Sequence, residues 1–118
     1  MNQLVVKVGI CQADDSVTVF RLQGHLDAQT VRQLEEHFSS TTARSKCKWI
    51  VDLSQLEYIS SAGLGSFVGV LSDLRSQGGD ILFTGLSSKI LKIFKVLGFT
   101  RIFRVFDSEA EALKGFNP

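Results

Sequence analysis

Apolar and polar positions follow two rhythms along this chain, and their order predicts the fold. "LVVKVGICQ" (residues 4–12) and "SVTVFRLQG" (16–24) are β-branched, strand-like runs. Asp14, Asp15 and Ser16 supply turn chemistry between them, so the two runs are read as an antiparallel hairpin. Gly24 is expected to break the second strand. In "DAQTVRQLEEHF" (27–38), Val31, Leu34 and Phe38 recur at helical spacing, with Asp27 where an N-cap belongs. "SSTTARSK" (39–46) is a polar connection. "CKWIVDL" (47–53) is a short continuous apolar run, as in a strand covered on both faces. That strand is expected to end near Leu53, leaving "SQLEYI" (54–59) as a loop.

After "YISSAGLG" (58–65), Leu64, Phe67, Val68, Leu71 and Leu74 mark one helix stripe. Gly78 or Gly79 in "SQGG" can take the left-handed conformation that ends a helix. "DILFTG" (80–85) is another short strand. "SSKILKIFKVLGF" (87–99) is a helix with Ser87 or Ser88 as cap and Gly98 as stop, and "RIFRVF" (101–106) is strand-like. In "DSEAEALKGF" (107–116), Ser108 and Glu111 have the spacing of a capping box. The predicted order is β-β-α-β-α-β-α-β-α. Alternating strands and helices imply parallel neighbours joined by right-handed crossovers. The expected architecture is α/β: a mostly parallel sheet, an N-terminal antiparallel strand and helices packed against it, as a single domain over residues 1–118.

Composition narrows the function class. The 118 residues are 44% hydrophobic and 21% charged, enough for one core but not two. A net charge of +1 demands neither nucleic acid nor an anionic membrane as partner. Asp52 interrupts the apolar stretch around Trp49, well short of the roughly 18 residues of a membrane span. "MNQLVVKVG" lacks the basic start and long apolar run of a signal peptide, so a cytoplasmic protein is expected. Cys11 and Cys47 lie far apart in strand-like contexts without zinc-site spacing, and are read as reduced thiols. Neither a metal nor a cofactor is expected.

The chemistry concentrates in "YISSAGLG". Gly63, Gly65 and Gly69 approximate a dinucleotide fingerprint, but that fingerprint opens directly from a strand and needs an acid closing the next one. Here the strand is expected to end about ten residues too early for the fingerprint's tight turn, and Asp80 begins the next strand. A structural role is simpler: Ala62, Gly63 and Gly65 let a helix start pass close to the sheet, and Ser60 or Ser61 caps it. A further role is chemical. A helix start carries a partial charge of about +0.5 and tolerates an anion, so a serine there can hold a phosphate of about −1.5 to −2 charges without unfolding its own domain. Serine nucleophilic catalysis would need a base, yet the histidines are only His25 and His37, and no G-x-S-x-G elbow is present. The chain is therefore not expected to be an enzyme.

"VDLSQLEYISSAGLGSFVGV" and "LQGHLDAQTVRQLEEHF" resemble the two marks of the STAS domain, specifically of bacterial anti-sigma factor antagonists. The resemblance covers nearly the whole chain and implies the same order of elements. It implies a non-enzymatic switch. The unphosphorylated antagonist binds an anti-sigma factor, which is itself a serine kinase, and so frees a sigma factor. Phosphorylation ends the interaction, and a PP2C-type phosphatase restores it. The implied acceptor is Ser61, with Asp27 as its neighbour and Ser60, Ala62, Gly63 and Leu64 completing the partner surface. The commonest family pattern has Asp before the acceptor where this chain has Ser60, so Ser60 stands as a rival acceptor. A constitutive STAS interaction module of a transporter complex or signalling scaffold would share these marks without needing phosphorylation. "KILKIFK" places Lys89, Lys92 and Lys95 in a basic row, followed by Arg101 and Arg104, and Phe99 after the helix stop is a candidate for exposure.

Overall fold

The computed structural model describes residues 3–116. In chain order the elements are β1 (Leu4–Cys11), β2 (Asp14–Leu26), α1 (Val31–Ala43), β3 (Lys48–Ile59), α2 (Ser61–Ser76), β4 (Asp80–Thr84), α3 (Ser88–Val96), a 3-10 turn (Phe99–Arg101), β5 (Arg104–Phe106) and α4 (Glu109–Lys114). The β-β-α-β-α-β-α-β-α order is the one the sequence pattern predicts. The five strands form one sheet whose spatial order equals chain order, β1-β2-β3-β4-β5. β1 runs antiparallel to β2, and β2 through β5 are parallel. Helices α1, α2 and α3 are the crossovers that parallel pairing requires.

Alternation along the strands sorts side chains onto two faces. Phe20, Leu22, Trp49, Val51, Leu53, Ile81 and Phe83 meet Leu34 and Phe38 of α1, Leu64, Phe67, Leu71 and Leu74 of α2, and Ile90 and Phe94 of α3. Aromatic rings run through this layer in sequence. Phe20 lies 4.8 Å from Trp49, Trp49 4.9 Å from Phe38, Phe38 5.7 Å from Phe67, Phe67 5.0 Å from Phe83, and Phe83 5.3 Å from Phe94. Such contacts stabilise beyond the area they bury, by about 0.5–1.5 kcal/mol per pair. On the other face Val17, Val19, Ile50 and Leu82 pack with Cys11 and with Ala112 of the short α4. Arg21 ties that helix to the sheet, with its guanidinium 2.8 Å from Asp52 and 2.7 Å from Glu109. The hydrogen bond it donates to Glu109, then the negative charges of both carboxylates, hold the guanidinium above its ordinary pKa.

Several boundaries differ from the sequence expectation. Gly24 does not end β2. It sits at φ +100°, the strand continues to Leu26, and the β2–β3 register shifts on either side of it. β3 likewise runs past Leu53 to Ile59, because the shifted β2 still offers it partners: Gln23 pairs with Gln55, Gly24 with Leu56, His25 with Tyr58 and Leu26 with Ile59. Helix α1 absorbs "SSTTA" as far as Ala43. Thr41 is buried in its last turn and donates its hydroxyl to the His37 carbonyl at 2.8 Å. "RIFRVF" is only half strand, its first residues belonging to the 3-10 turn and the bend after it. Phe99 turns inward, 6.1 Å from Phe94 and from Phe103, and the exposed apolar residues there are Val96, Leu97 and Ile102. Cys11 and Cys47 are free thiols. Among the described residues no helix is long and apolar enough to cross a membrane.

Glycines separate tight positions from open ones. A Cβ at Gly79 would collide with the Cys47 carbonyl, backbone that cannot swing aside, whereas a Cβ at Gly69 of α2 meets open space. Gly79→Ala is expected to cost about 1–3 kcal/mol through overpacking. Gly69→Ala is expected to gain up to about 1 kcal/mol of helix propensity. Urea unfolding midpoints of the two variants check both signs.

Candidate functional site

The carboxyl ends of β2 and β3 lie side by side and both release chain into the same corner. Leu26 pairs with Ile59 across the two strands. The residue just after β3, Ser60, donates its backbone N–H to the Leu26 carbonyl at 2.9 Å. Asp27 and Ser61 are each one residue beyond that hydrogen bond. The juxtaposition predicted for them is thus built by strand register.

Ser60 is the whole connection between β3 and α2. Its backbone is extended, and its hydroxyl accepts from the Gly63 N–H at 3.3 Å, which is N-cap geometry. Its carbonyl accepts from Leu64 at 3.0 Å, opening the helix ladder. Ser61, the first helical residue, is exposed, as is Ala62. The two adjacent serines therefore have different surroundings. No acidic residue stands in the first turn of α2, so the positive helix end is not offset by the helix's own side chains.

Gly63 explains the small-residue run. A Cβ there would sit 2.7 Å from Leu26 Cγ and 3.0 Å from the Leu26 carbonyl oxygen, so only glycine lets α2 start against the end of β2. Leu64 lies in the core at 2% exposure. Both lie beneath Ser61 and Ala62 and fix the helix start under them.

Asp27 is also buried, at 9% exposure. It does not cap α1, whose N-cap is Thr30 and whose first residue is Val31. Instead its carboxylate accepts from the N–H groups of Gln29 at 2.9 Å and Thr30 at 3.2 Å. Thr30 returns the tie, its hydroxyl oxygen accepting from the Asp27 N–H at 3.0 Å while donating to the His25 carbonyl at 2.8 Å. The short polar side chain satisfies a turn ahead of the helix where the sequence suggested the helix itself, because both offer the same free donors.

Two neighbours were not singled out for this corner. Tyr58 is 41% exposed and lies 6.0 Å from the His25 ring, and His25 Nδ1 is 3.7 Å from Glu57. Only the His25–Tyr58 register brings them together, and nothing in the local sequence spacing signals it. His37 stands apart on α1, half-buried. Among the described residues no group of three or more His, Cys, Asp or Glu side chains gathers as a metal site would require. The dinucleotide alternative loses one of its objections, since β3 does reach the helix. Gly63, Gly65 and Gly69 nevertheless all lie inside α2 and not in the turn before it, and Asp80 begins β4.

With this corner described, likeness to known proteins can be stated. The sequence profile of the STAS domain matches residues 10–112. The anti-sigma-B factor antagonist of Listeria monocytogenes is 28% identical over 97 residues, covering 82% of this chain and 84% of that protein. The crystal structure of an anti-sigma factor antagonist from Mycobacterium paratuberculosis superposes with a TM-score of 0.86 at 21% identity, covering 98% of this chain and 96% of that one. SpoIIAA, an anti-sigma factor antagonist and a Bacillus cell fate determinant, has been solved in unphosphorylated and phosphorylated forms. These match with TM-scores of 0.77 and 0.71 at 22% identity, each over 93% of this chain and over 94% and 97% of theirs. The solved structures share the fold, and the profile match spans most of the sequence: the chain belongs to the STAS domain family.

Proposed function

We propose that this protein is an anti-sigma factor antagonist whose docking is gated by phosphorylation of Ser61. The observation that carries this is the division of labour between the two serines. Ser60 spends its hydroxyl on the helix cap, while Ser61 presents an exposed hydroxyl one residue later. The names of the relatives, and the existence of a phosphorylated form of SpoIIAA, support the same choice of function.

The partner is an anti-sigma factor that is also a serine kinase. In the unmodified state it meets a low, small-residue surface around Ser61 and Ala62, supported from below by Gly63 and Leu64. Asp27 holds the adjoining turn, so the β2 end and the α2 start present one surface to the kinase. Sequestering the anti-sigma factor frees a sigma factor. Phosphoryl transfer to the Ser61 oxygen then adds about −1.5 to −2 charges where the positive end of α2 accommodates them within the fold. Docking must now desolvate that phosphate, so affinity falls while the domain stays folded. Hydrolysis by a PP2C-type phosphatase restores the binding surface. The role is regulatory binding, carried by residues 1–118 as one domain in the cytoplasm, where ATP and the transcription machinery are found.

Incubation with the cognate kinase and ATP, followed by mass-spectrometric mapping, should place the phosphate on Ser61. Label on neither Ser60 nor Ser61 rules the mechanism out. Ser61→Ala should bind the kinase persistently, whereas Ser61→Asp should bind about a hundredfold more weakly, a loss of about 2.8 kcal/mol. Unchanged affinity in Ser61→Asp would favour a constitutive interaction module instead. Ser60→Ala should lower unfolding stability by about 1 kcal/mol through loss of the cap. Ser61→Ala should stay within about 0.5 kcal/mol of the parent, as surface substitutions do. Denaturant midpoints separate the two serines independently of any partner.

A further inference from the structure

We propose that the turn closing α3 is a docking surface for an anionic lipid bilayer, at the end of the molecule opposite Ser61. Ser61 follows the carboxyl end of β3, whereas α3 ends where the chain returns to the amino end of the parallel β5. There Val96, Leu97 and Ile102 are 73%, 55% and 40% exposed within seven residues of chain. They are displayed by a held turn and not by a frayed end. Gly98 takes φ +77°, Phe103 N–H donates to the Phe99 carbonyl at 2.8 Å, the Phe99 ring packs inward, and Arg75 donates to the Ile102 carbonyl at 2.7 Å.

Exposed cationic side chains stand beside this apolar tip. Lys89, Lys92 and Lys95 occupy the exposed face of α3 together with Val96, and Arg101 is exposed beside Ile102. From Ile81 to Phe106 the chain holds five of its thirteen cationic side chains and none of its twelve acidic ones. The acids that bound this segment are Asp80, paired with Arg75 at 3.2 Å, and the exposed Asp107. The remainder of the chain is net negative, so a total of +1 conceals a segregated distribution.

The chemistry favours lipid over protein as the occupant. Protein interfaces are depleted in lysine, and their energetic centres favour Trp, Tyr and Arg over Leu and Val. The tip is Val, Leu and Ile with Lys92, Lys95 and Arg101 beside it, a pairing of aliphatic and basic residues that suits a headgroup region. The aliphatic side chains enter the boundary between headgroups and acyl chains. The lysine stems lie along it while their ammonium groups meet lipid phosphates. Each cation near an anionic leaflet contributes about fivefold to partitioning, so the contact is reversible and salt-sensitive. Bound this way, the protein turns its Ser61 corner towards solution.

Co-sedimentation with phosphatidylcholine vesicles containing one-third phosphatidylglycerol tests the proposal, with pure phosphatidylcholine vesicles as comparison. The full-length protein should sediment with the anionic vesicles and stay in solution with the neutral ones. Lys92→Glu with Lys95→Glu should lower partitioning at least about tenfold. Val96→Ser with Leu97→Ser should lower it about tenfold as well, with unfolding midpoints unchanged in both variants. Equal behaviour towards both vesicle types overturns the proposal. So does indifference to the Val96 and Leu97 changes, which would mean adsorption by charge alone. Absence of vesicle binding, with loss of anti-sigma factor affinity in the same variants, would identify the tip as a protein contact and also overturn it. None of these outcomes bears on phosphate mapping at Ser61, so the two ideas fail separately.

Discussion

One close approach organises the functional end of this molecule. Leu26 is engaged twice: its carbonyl takes the N–H of Ser60, and its side chain occupies the space a Cβ at Gly63 would need. The end of β2 and the start of α2 are thereby locked to a single residue. Everything that matters nearby inherits its position from that lock, including the exposure of Ser61, the burial of Leu64 and the setting of the Asp27 turn. Packed interiors do not deform gradually, so a modest intrusion at this contact would displace the helix start as a unit.

The elements whose ends are written in local chemistry were legible in the sequence. Ser87 and Ser108 each accept from an N–H three residues on, at Ile90 and Glu111, as their spacing implied. Gly78 and Gly98 both take positive φ where helices stop. What stayed hidden depends on partners distant in sequence. Ser54, Gln55 and Glu57 look like loop residues and are strand only because a bulged β2 supplies a ladder for them. Gly24 looks like a strand breaker, yet its φ of +100° lets β2 pass close to the Gln3 carbonyl while pairing continues. For the candidate site, the resemblance put Ser61 first, with Ser60 as rival and Asp27 as neighbour. Cap geometry gives the two serines different surroundings, and the Asp27 turn shows that a good N-cap residue can serve the turn before a helix equally well.

Surface and interior divide the work cleanly. The rings from Phe20 to Phe94 hold the helices to the sheet through contacts that no surface charge reaches. A charge added at the start of α2 therefore acts on what approaches the protein and not on the core beneath. The segment from Ile81 to Phe106 shows how a balanced total charge can hide structure: five cations within twenty-six residues are offset only by acids elsewhere.

Strand order carries one last implication. Because β1 to β5 stand in space as they do in sequence, no pairing waits for a later strand to be inserted between earlier ones. Each new strand needs only the edge left by its predecessor, and each closure spans a single hairpin or a single crossover. Closing short loops costs less entropy than closing long ones, which keeps the folding barrier low for a parallel sheet. A nascent chain can therefore build this sheet by accretion as it leaves the ribosome, strand upon strand.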